Sequence, residues 1–132
     1  MNEAHAQTLI EPVKTHRDAR GTLFEPLSEM ELAGQKNVHV ALTRPNEVRG
    51  NHVHAAAVEI TTVVGPCLVR LKESQAIRDV VVPPGEVWRF TIPSGVAHAF
   101  RNTSDTMLLL VSFSTHSHDP TGAGTRREEI LS

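Results

Sequence analysis

The sequence has one cysteine, no tyrosine and no long apolar run, and these absences narrow what the protein can be. A single Cys67 excludes a disulfide within the chain and a zinc site built from cysteines, and it fits a reducing cytoplasm. No apolar run approaches the ~20 residues that a membrane span requires, and no charged-then-apolar leader opens the chain. We therefore expect a cytoplasmic protein with no membrane partner.

The sequence also lacks an excess of either charge. Its 13 Lys and Arg are matched by 15 Asp and Glu, which gives a formal net charge of −2, and the basic residues are scattered along the chain. Polyanion binding usually depends on a concentrated basic patch. We therefore expect no nucleic acid partner.

Glycine and proline, eight of each, cut the apolar residues into short lengths that favour strands over helices. The length of 132 residues suits one domain, residues 1–132. Alternating or continuous apolar runs predict strands at 37–43, 67–72, 80–82, 88–92 and 107–113. Many short strands at this spacing predict an all-β sandwich or barrel.

The chain ends carry weaker signals. Residues 1–14 are expected to form an N-terminal arm, loose or ordered on a partner subunit. Residues 121–132 are expected to form a C-terminal tail or a short helix, because Thr125 and Glu128 have the spacing of a capping box. A second helical turn is expected at 28–33.

Eight histidines stand out, and three of them suggest a metal site. His52 and His54 lie two residues apart, so that in a strand both side chains point to one face. Glu59 can join that face if a bend or bulge occurs at 55–57, and His98 follows a Pro-x-Gly turn. Three imidazoles and one carboxylate suit one divalent ion, which could be Zn, Fe, Mn, Ni or Co. The alternative interpretation is that the histidines contact substrate or move protons without a metal.

This spacing resembles the cupin superfamily, whose two motifs match nine residues of the chain. The residues are Gly50, His52, His54, Glu59 and Gly65 in the first motif and Pro93, Gly95, His98 and Asn102 in the second. Gly65 comes one residue earlier than the family pattern has it. The resemblance implies a single-domain jelly-roll barrel, also called a double-stranded β-helix.

A narrower resemblance covers about residues 15–120. Residues 17–25 look like the opening motif of dTDP-4-dehydrorhamnose 3,5-epimerases, and residues 49–54 look like the cupin domain of capsular polysaccharide enzymes that join a reductase to a UDP-sugar 3-epimerase. In the capsular cupin, the residues that correspond to His52, His54, Glu59 and His98 of this chain are zinc ligands. The 3,5-epimerases use a tyrosine acid that this chain lacks, and the reductase half is expected on a separate protein.

The resemblance also implies substrate contacts and a homodimer. Arg49 resembles an arginine that neutralises a substrate pyrophosphate, and Asn51 in the same run is assigned to substrate binding. Arg20 and Glu25 match the opening motif, which implies a nucleotide contact supplied across the dimer. The alternative to a substrate contact is that Arg49 is an ordinary surface arginine and that Arg20 merely forms part of a turn.

The expected function is a metal-dependent epimerase or isomerase of a nucleotide-linked 4-keto-6-deoxysugar in polysaccharide or glycoside biosynthesis. Because a metal-bound imidazole nitrogen has no free lone pair, the base must be another residue, and His39 and Lys72 are the candidates. Three alternatives stay open: a 3,4-ketoisomerase that uses the histidines without metal, an Fe(II) cupin dioxygenase, and a sugar-binding cupin without catalysis. The second His-x-His, His116 and His118, is expected at the surface or the rim of the site.

Overall fold

A computed structural model describes residues 7–132, which form short strands joined by tight turns and one short helix. In chain order the elements are β1 (Leu9–Pro12), β2 (Thr15–Asp18), β3 (Gly21–Phe24), α1 (Glu29–Ala33), β4 (Asn37–Thr43), β5 (Val48–His54), β6 (Glu59–Val64), β7 (Cys67–Glu73), β8 (Ala76–Val82), β9 (Val87–Ile92), β10 (Ala97–Asn102), β11 (Leu108–Ser114) and β12 (Thr125–Arg127).

Ten of these strands form two five-stranded antiparallel sheets. The first sheet has the order β1-β9-β6-β11-β4 and the second has the order β12-β5-β10-β7-β8, while β2 and β3 form a separate hairpin. Buried side chains from both sheets pack together between them. This is the jelly-roll barrel of a cupin, and it confirms the all-β fold expected from the sequence.

The apolar core borders the histidines. In β7, Cys67, Val69 and Leu71 alternate inward and are fully buried. The rings of Phe90 and Phe100 meet edge to face with centroids 6.3 Å apart, a favourable aromatic geometry. The His98 ring lies beside Phe100, with centroids 6.0 Å apart, so the core forms the floor of the histidine cluster.

Strand β4 confirms the prediction at 37–43, and its two faces differ. It lies at the edge of the first sheet, where it pairs only with β11 among the described strands. Val38, Val40 and Leu42 point outward and are 54%, 61% and 57% exposed. His39 lies on the opposite face, in the walls of two cavities described below.

The chain ends differ in part from the expectation. Residues 9–12 of the expected arm form β1 on β9 of the same chain, and residues 1–6 lie outside the described residues. The C-terminal segment contains strand β12 and no helix, since the free edge of β5 offers hydrogen-bond partners to residues 125–127. The predicted turn at 28–33 is confirmed: Ser28 and Glu31 form the capping box of α1. No helix among the described residues has the length and apolarity to cross a membrane.

Candidate metal centre and cavity

A bulge in β5 aims His52 and His54 into the barrel. Gly50 pairs with Ala99 and His52 pairs with His98, so Asn51 is left as an extra residue without a partner in β10. Gly50 and Asn51 both have positive φ, +92° and +56°. A Cβ at Gly50 would lie 2.6 Å from the carbonyl oxygen of His98, so only glycine allows the two strands to approach this closely.

Glu59 reaches the same point from the facing sheet. The chain bends after His54, as expected for the alanine stretch, and Glu59 begins β6 in the other sheet. His98 lies on β10, next to β5, and is completely buried, and Glu59 is also buried. Ligand atoms from two sheets therefore meet between them.

The four side chains form one compact cluster. Each offers a ligand atom, and these atoms all lie within 4.8 Å of one another. The Nε2 of His98 is 2.8 Å from Oε2 of Glu59, and the Nε2 of His54 is 3.5 Å from its Oε1. The Nε2 atoms of His52, His54 and His98 are all buried, and none has a well-directed hydrogen bond to another described residue.

The electrostatics of the cluster favour the ligand forms of these groups. Burial and the proximity of His98 lower the pKa of His52 to about 4. Burial alone would raise the pKa of Glu59, but its contacts with His54 and His98 outweigh burial and hold that pKa below the ordinary value. At neutral pH the cluster therefore holds a neutral His52 and an ionised carboxylate, as metal binding requires.

The other ring nitrogens of two histidines have partners outside the cluster. The Nδ1 of His98 is 3.0 Å from the carbonyl oxygen of Val96, which can only accept. Nδ1 therefore carries a proton, and Nε2 is the ring nitrogen directed into the cluster. The Nδ1 of His54 is 3.0 Å from the hydroxyl oxygen of Thr125.

These residues fit a divalent metal ion. Ligand atoms ~2.1 Å from a tetrahedral ion are ~3.4 Å apart, and those on opposite sides of an octahedral ion are ~4.2 Å apart, so the cluster would contract when it binds an ion. Three imidazoles with one carboxylate suit zinc, iron, manganese, nickel or cobalt. Buried imidazole nitrogens without partners are themselves the sign of a missing ligand, because such groups are normally satisfied.

Two cavities open onto the cluster. The lining of a cavity of about 370 Å³ includes His54, His116 and His118. A second cavity of about 280 Å³ is lined by His52, Arg49, Phe100 and Leu110. His39 and Glu59 line both cavities.

The two candidate bases lie in different places. His39 stands in the cavity wall, beside the cluster but outside the ligand set. Lys72 has the opposite orientation to the buried Leu71 of β7, and its Nζ pairs with Glu128 at 2.9 Å. The structure does not bring Lys72 to either cavity, because strand alternation places it on the outer face of the second sheet.

The predicted substrate contacts are also dispersed. Arg49 lines the second cavity, where its Nε donates to the Thr43 hydroxyl at 3.1 Å. Arg20 is 90% exposed and pairs with Asp18 in the β2–β3 hairpin, and Glu25 is exposed just after β3. Neither Arg20 nor Glu25 lines a cavity at the cluster within this chain.

Asn51 is not aimed at the cavities. Its side chain binds the backbone of Ile130 and Leu131 near the C-terminus. The bulge explains this orientation, because the extra residue faces away from the two histidines that follow it in β5.

The second His-x-His and the C-terminal segment complete the surroundings of the cluster. His116 and His118, expected at the surface or the rim, form one wall of the larger cavity. Thr125 contacts a cluster histidine, and reasoning from the sequence missed it. The sequence marks Thr125 only as a capping-box residue, and its contact with His54 depends on how the C-terminal segment folds back.

Several solved structures share this fold. The capsular polysaccharide assembling protein CapF from Staphylococcus aureus superimposes with a TM-score of 0.66 at 23% identity, covering 91% of this chain and 33% of CapF. The chain thus spans about a third of CapF. No curated protein matches the sequence significantly.

Two other structures match over more of their length. The sugar 3,4-ketoisomerase QdtA from Thermoanaerobacterium thermosaccharolyticum, in complex with TDP, has a TM-score of 0.70 at 18% identity, covering 92% of this chain and 88% of QdtA. A double mutant of the 3'-monoepimerase ChmJ from Streptomyces bikiniensis, in complex with dTDP, has a TM-score of 0.73 at 15% identity, covering 96% of this chain and 71% of ChmJ. All three share the cupin fold of this chain. Residues 16–126 match the family described as "Polysaccharide biosynthesis C-terminal domain", and the chain belongs to that family.

Proposed function

We propose that the protein is a metal-dependent epimerase or isomerase that acts on a nucleotide-linked 4-keto-6-deoxysugar in polysaccharide or glycoside biosynthesis. The observation that carries this proposal is the cluster of His52, His54, Glu59 and His98, which borders two open cavities. The likeness to QdtA, a sugar 3,4-ketoisomerase in complex with TDP, and to ChmJ, a 3'-monoepimerase in complex with dTDP, supports the substrate class.

We assign the four cluster residues as ligands of one zinc ion. When bound, the ion would stabilise the negative charge that develops on the ketone oxygen as the neighbouring carbon loses its proton. The apolar floor formed by Phe100 and Leu110 limits water beside the reacting carbon, which strengthens every polar contact there.

His39 is our choice for the base. It stands in both cavity walls, as Glu59 does, but outside the ligand set, so a nitrogen lone pair is free to accept the proton of the carbon beside the ketone. Lys72 is disfavoured because its ammonium pairs with Glu128 on the outer face of the barrel. The imidazoles of His116 and His118, in the wall of the larger cavity, are our candidates for returning a proton in an epimerisation.

Arg49 is assigned to the substrate pyrophosphate. It lines the cavity that also contains His52, and its planar guanidinium suits a bidentate contact with phosphate oxygens. Arg20 and Glu25 contribute to nucleotide binding only if they reach the site of a second copy, since they lie outside the cavities of their own chain.

We also propose a homodimer. Strand β4 is an edge strand, and its outward side chains Val38, Val40 and Leu42 form an exposed apolar stripe. Light scattering during size exclusion should give twice the chain mass, and Val40→Lys should give the mass of one chain. A monomer for the unsubstituted protein would overturn the dimer proposal.

Deuterium exchange tests the catalytic proposal directly. The zinc-loaded protein is incubated in heavy water with UDP- and dTDP-linked 4-keto-6-deoxysugars, and label at C3 and C5 is followed by NMR. We expect exchange at C3 that chelation abolishes and zinc restores. Exchange accompanied by migration of the ketone to C3 would identify a ketoisomerase, and the absence of exchange with every substrate would refute the function.

A further inference from the structure

The C-terminal strap, residues 125–131, lies along the edge of the strand that carries two of the four cluster residues. Thr125 pairs with His54 and Arg127 pairs with His52, as β12 adds to β5. Just before the strap, the carbonyl of Gly124 accepts from the N–H of Ala55 at 3.0 Å. The free edge of β5 is covered in this way by the end of the same chain.

Asn51 anchors the strap from the bulge in β5. Its amide nitrogen donates to the carbonyl oxygen of Leu131 at 2.9 Å, and its Oδ1 accepts from the backbone N–H groups of Ile130 and Leu131 at 2.9 and 3.0 Å. Its backbone carbonyl accepts from the N–H of Glu128 at 2.8 Å. One buried side chain thus makes three hydrogen bonds to the strap, and asparagine tolerates the positive φ of the bulge.

Side chains of β7 and the core hold the rest of the strap. Leu131 is buried, Arg70 donates to the carbonyl oxygen of Ile130 at 3.1 Å, and Lys72 pairs with Glu128 at 2.9 Å. These contacts fix the strap at its far end, while Thr125 lies at its near end beside the cluster. The Thr125 hydroxyl is 3.0 Å from the Nδ1 of His54.

We propose that Thr125 is a positioning residue for the metal centre, and that the strap anchored by Asn51 holds it there. The inference rests on the proposed metal site. With Nε2 as the metal ligand, Nδ1 of His54 carries the proton and donates it to the Thr125 hydroxyl oxygen, and this contact holds the ring with Nε2 directed into the cluster. His98 is held in the same way by a backbone carbonyl, so both ring orientations are set by a contact outside the ligand set. Metal binding and ordering of the strap are then coupled, and each stabilises the other.

The test compares Thr125→Val, which replaces the hydroxyl with a methyl group, with Thr125→Ser, which keeps it. Zinc affinity is measured on the full chain by competition with a chromophoric chelator. Loss of such an outer contact weakens metal binding by roughly 10–100-fold, and we expect about tenfold for valine because Thr125 is exposed to water. The serine variant and the control Thr103→Val, at an exposed threonine in the β10–β11 turn, should bind zinc like the unsubstituted protein.

Two readouts separate this inference from the metal site itself. In Asn51→Gly, which keeps the backbone conformation but removes the anchor, the amides of Ile130 and Leu131 should exchange hydrogen faster, and zinc affinity should fall. In the zinc-loaded protein, the Nδ1–H of His54 should exchange slowly with solvent in ¹H–¹⁵N NMR, and Thr125→Val should speed that exchange. Unchanged zinc affinity in Thr125→Val would overturn the positioning role, whereas failure of the unsubstituted protein to bind zinc would overturn the metal site.

Discussion

Replacing Glu59 by glutamine tests the cluster with the least change in shape. The carboxylate is buried and lies 2.8 Å from the Nε2 of His98 and 3.5 Å from that of His54, so the substitution removes the only negative charge of the cluster and keeps its volume. Structural zinc sites with four ligands bind with roughly 10–16 kcal/mol, or about 2.5–4 kcal/mol per ligand. With about 1.4 kcal/mol per factor of ten, Glu59→Gln should weaken zinc binding by about 10²–10³-fold.

The matched control is Glu73→Gln. Glu73, the last residue of β7, is also a buried glutamate, but it pairs with Arg78 of β8 at 2.9 Å and lies outside the cluster. Its substitution should lower the free energy of unfolding by about 1 kcal/mol and leave zinc affinity unchanged. Both affinities come from chelator competition, with metal content measured by mass spectrometry. Equal zinc affinity of Glu59→Gln and the unsubstituted protein would refute the assignment of Glu59 as a ligand.

Three other substitutions or treatments test separate parts of the structure. His39→Asn should lower deuterium exchange at the sugar by about 10²–10⁴-fold with zinc affinity unchanged, and undiminished exchange would remove His39 as the base. Gly50→Ala should lower the free energy of unfolding by at least about 2 kcal/mol in chemical denaturation, because its Cβ would lie 2.6 Å from the carbonyl oxygen of His98 and the φ is +92°. In the control Gly124→Ala, the new Cβ meets no atom within 4 Å, so the change should be nearly neutral. Similar losses in both variants would contradict the close approach of the strands. Burial raises the pKa of the Cys67 thiol to about 12, so its thiolate fraction at neutral pH is far below that of an exposed cysteine. Iodoacetamide should therefore modify Cys67 only after the protein unfolds. Rapid modification of the folded protein would show that β7 opens.

The sequence predicts the strands best where a side chain's environment follows from its neighbours along the chain. Residues 67–72 alternate, and the structure buries Cys67, Val69 and Leu71 on the inner face as alternation requires. The proposed ligands could also be grouped from the sequence, because His52 and His54 share a face and the spacing of Glu59 and His98 resembles a known motif. Local pattern and motif therefore account for most of the barrel and for the composition of the cluster.

The placements that the sequence did not predict depend on contacts between distant segments. The capping-box spacing at Thr125 predicts a helix as one alternative, but the backbone groups of residues 125–127 pair with the free edge of β5 instead. Asn51 is next to a cluster histidine in sequence, yet the bulge turns its side chain to the C-terminus. Lys72 shows the same limitation, because its partner Glu128 comes from a segment whose position only the folded chain reveals.

The residues that stabilise the barrel are different from the residues that are proposed to bind the metal ion. The Nε2 of His52 is buried without a partner, and one such unsatisfied group costs about 1–3 kcal/mol, so the cluster weakens the metal-free fold. The apolar residues around Phe90 and Phe100 offset that cost, since large buried aromatic side chains contribute much of the favourable free energy of a core. The cluster can therefore keep its nitrogens directed inward, which is the arrangement a metal ion needs. The strap adds a local constraint at His54, whose Nδ1 contacts a side chain, whereas the Nδ1 of His98 contacts a backbone carbonyl.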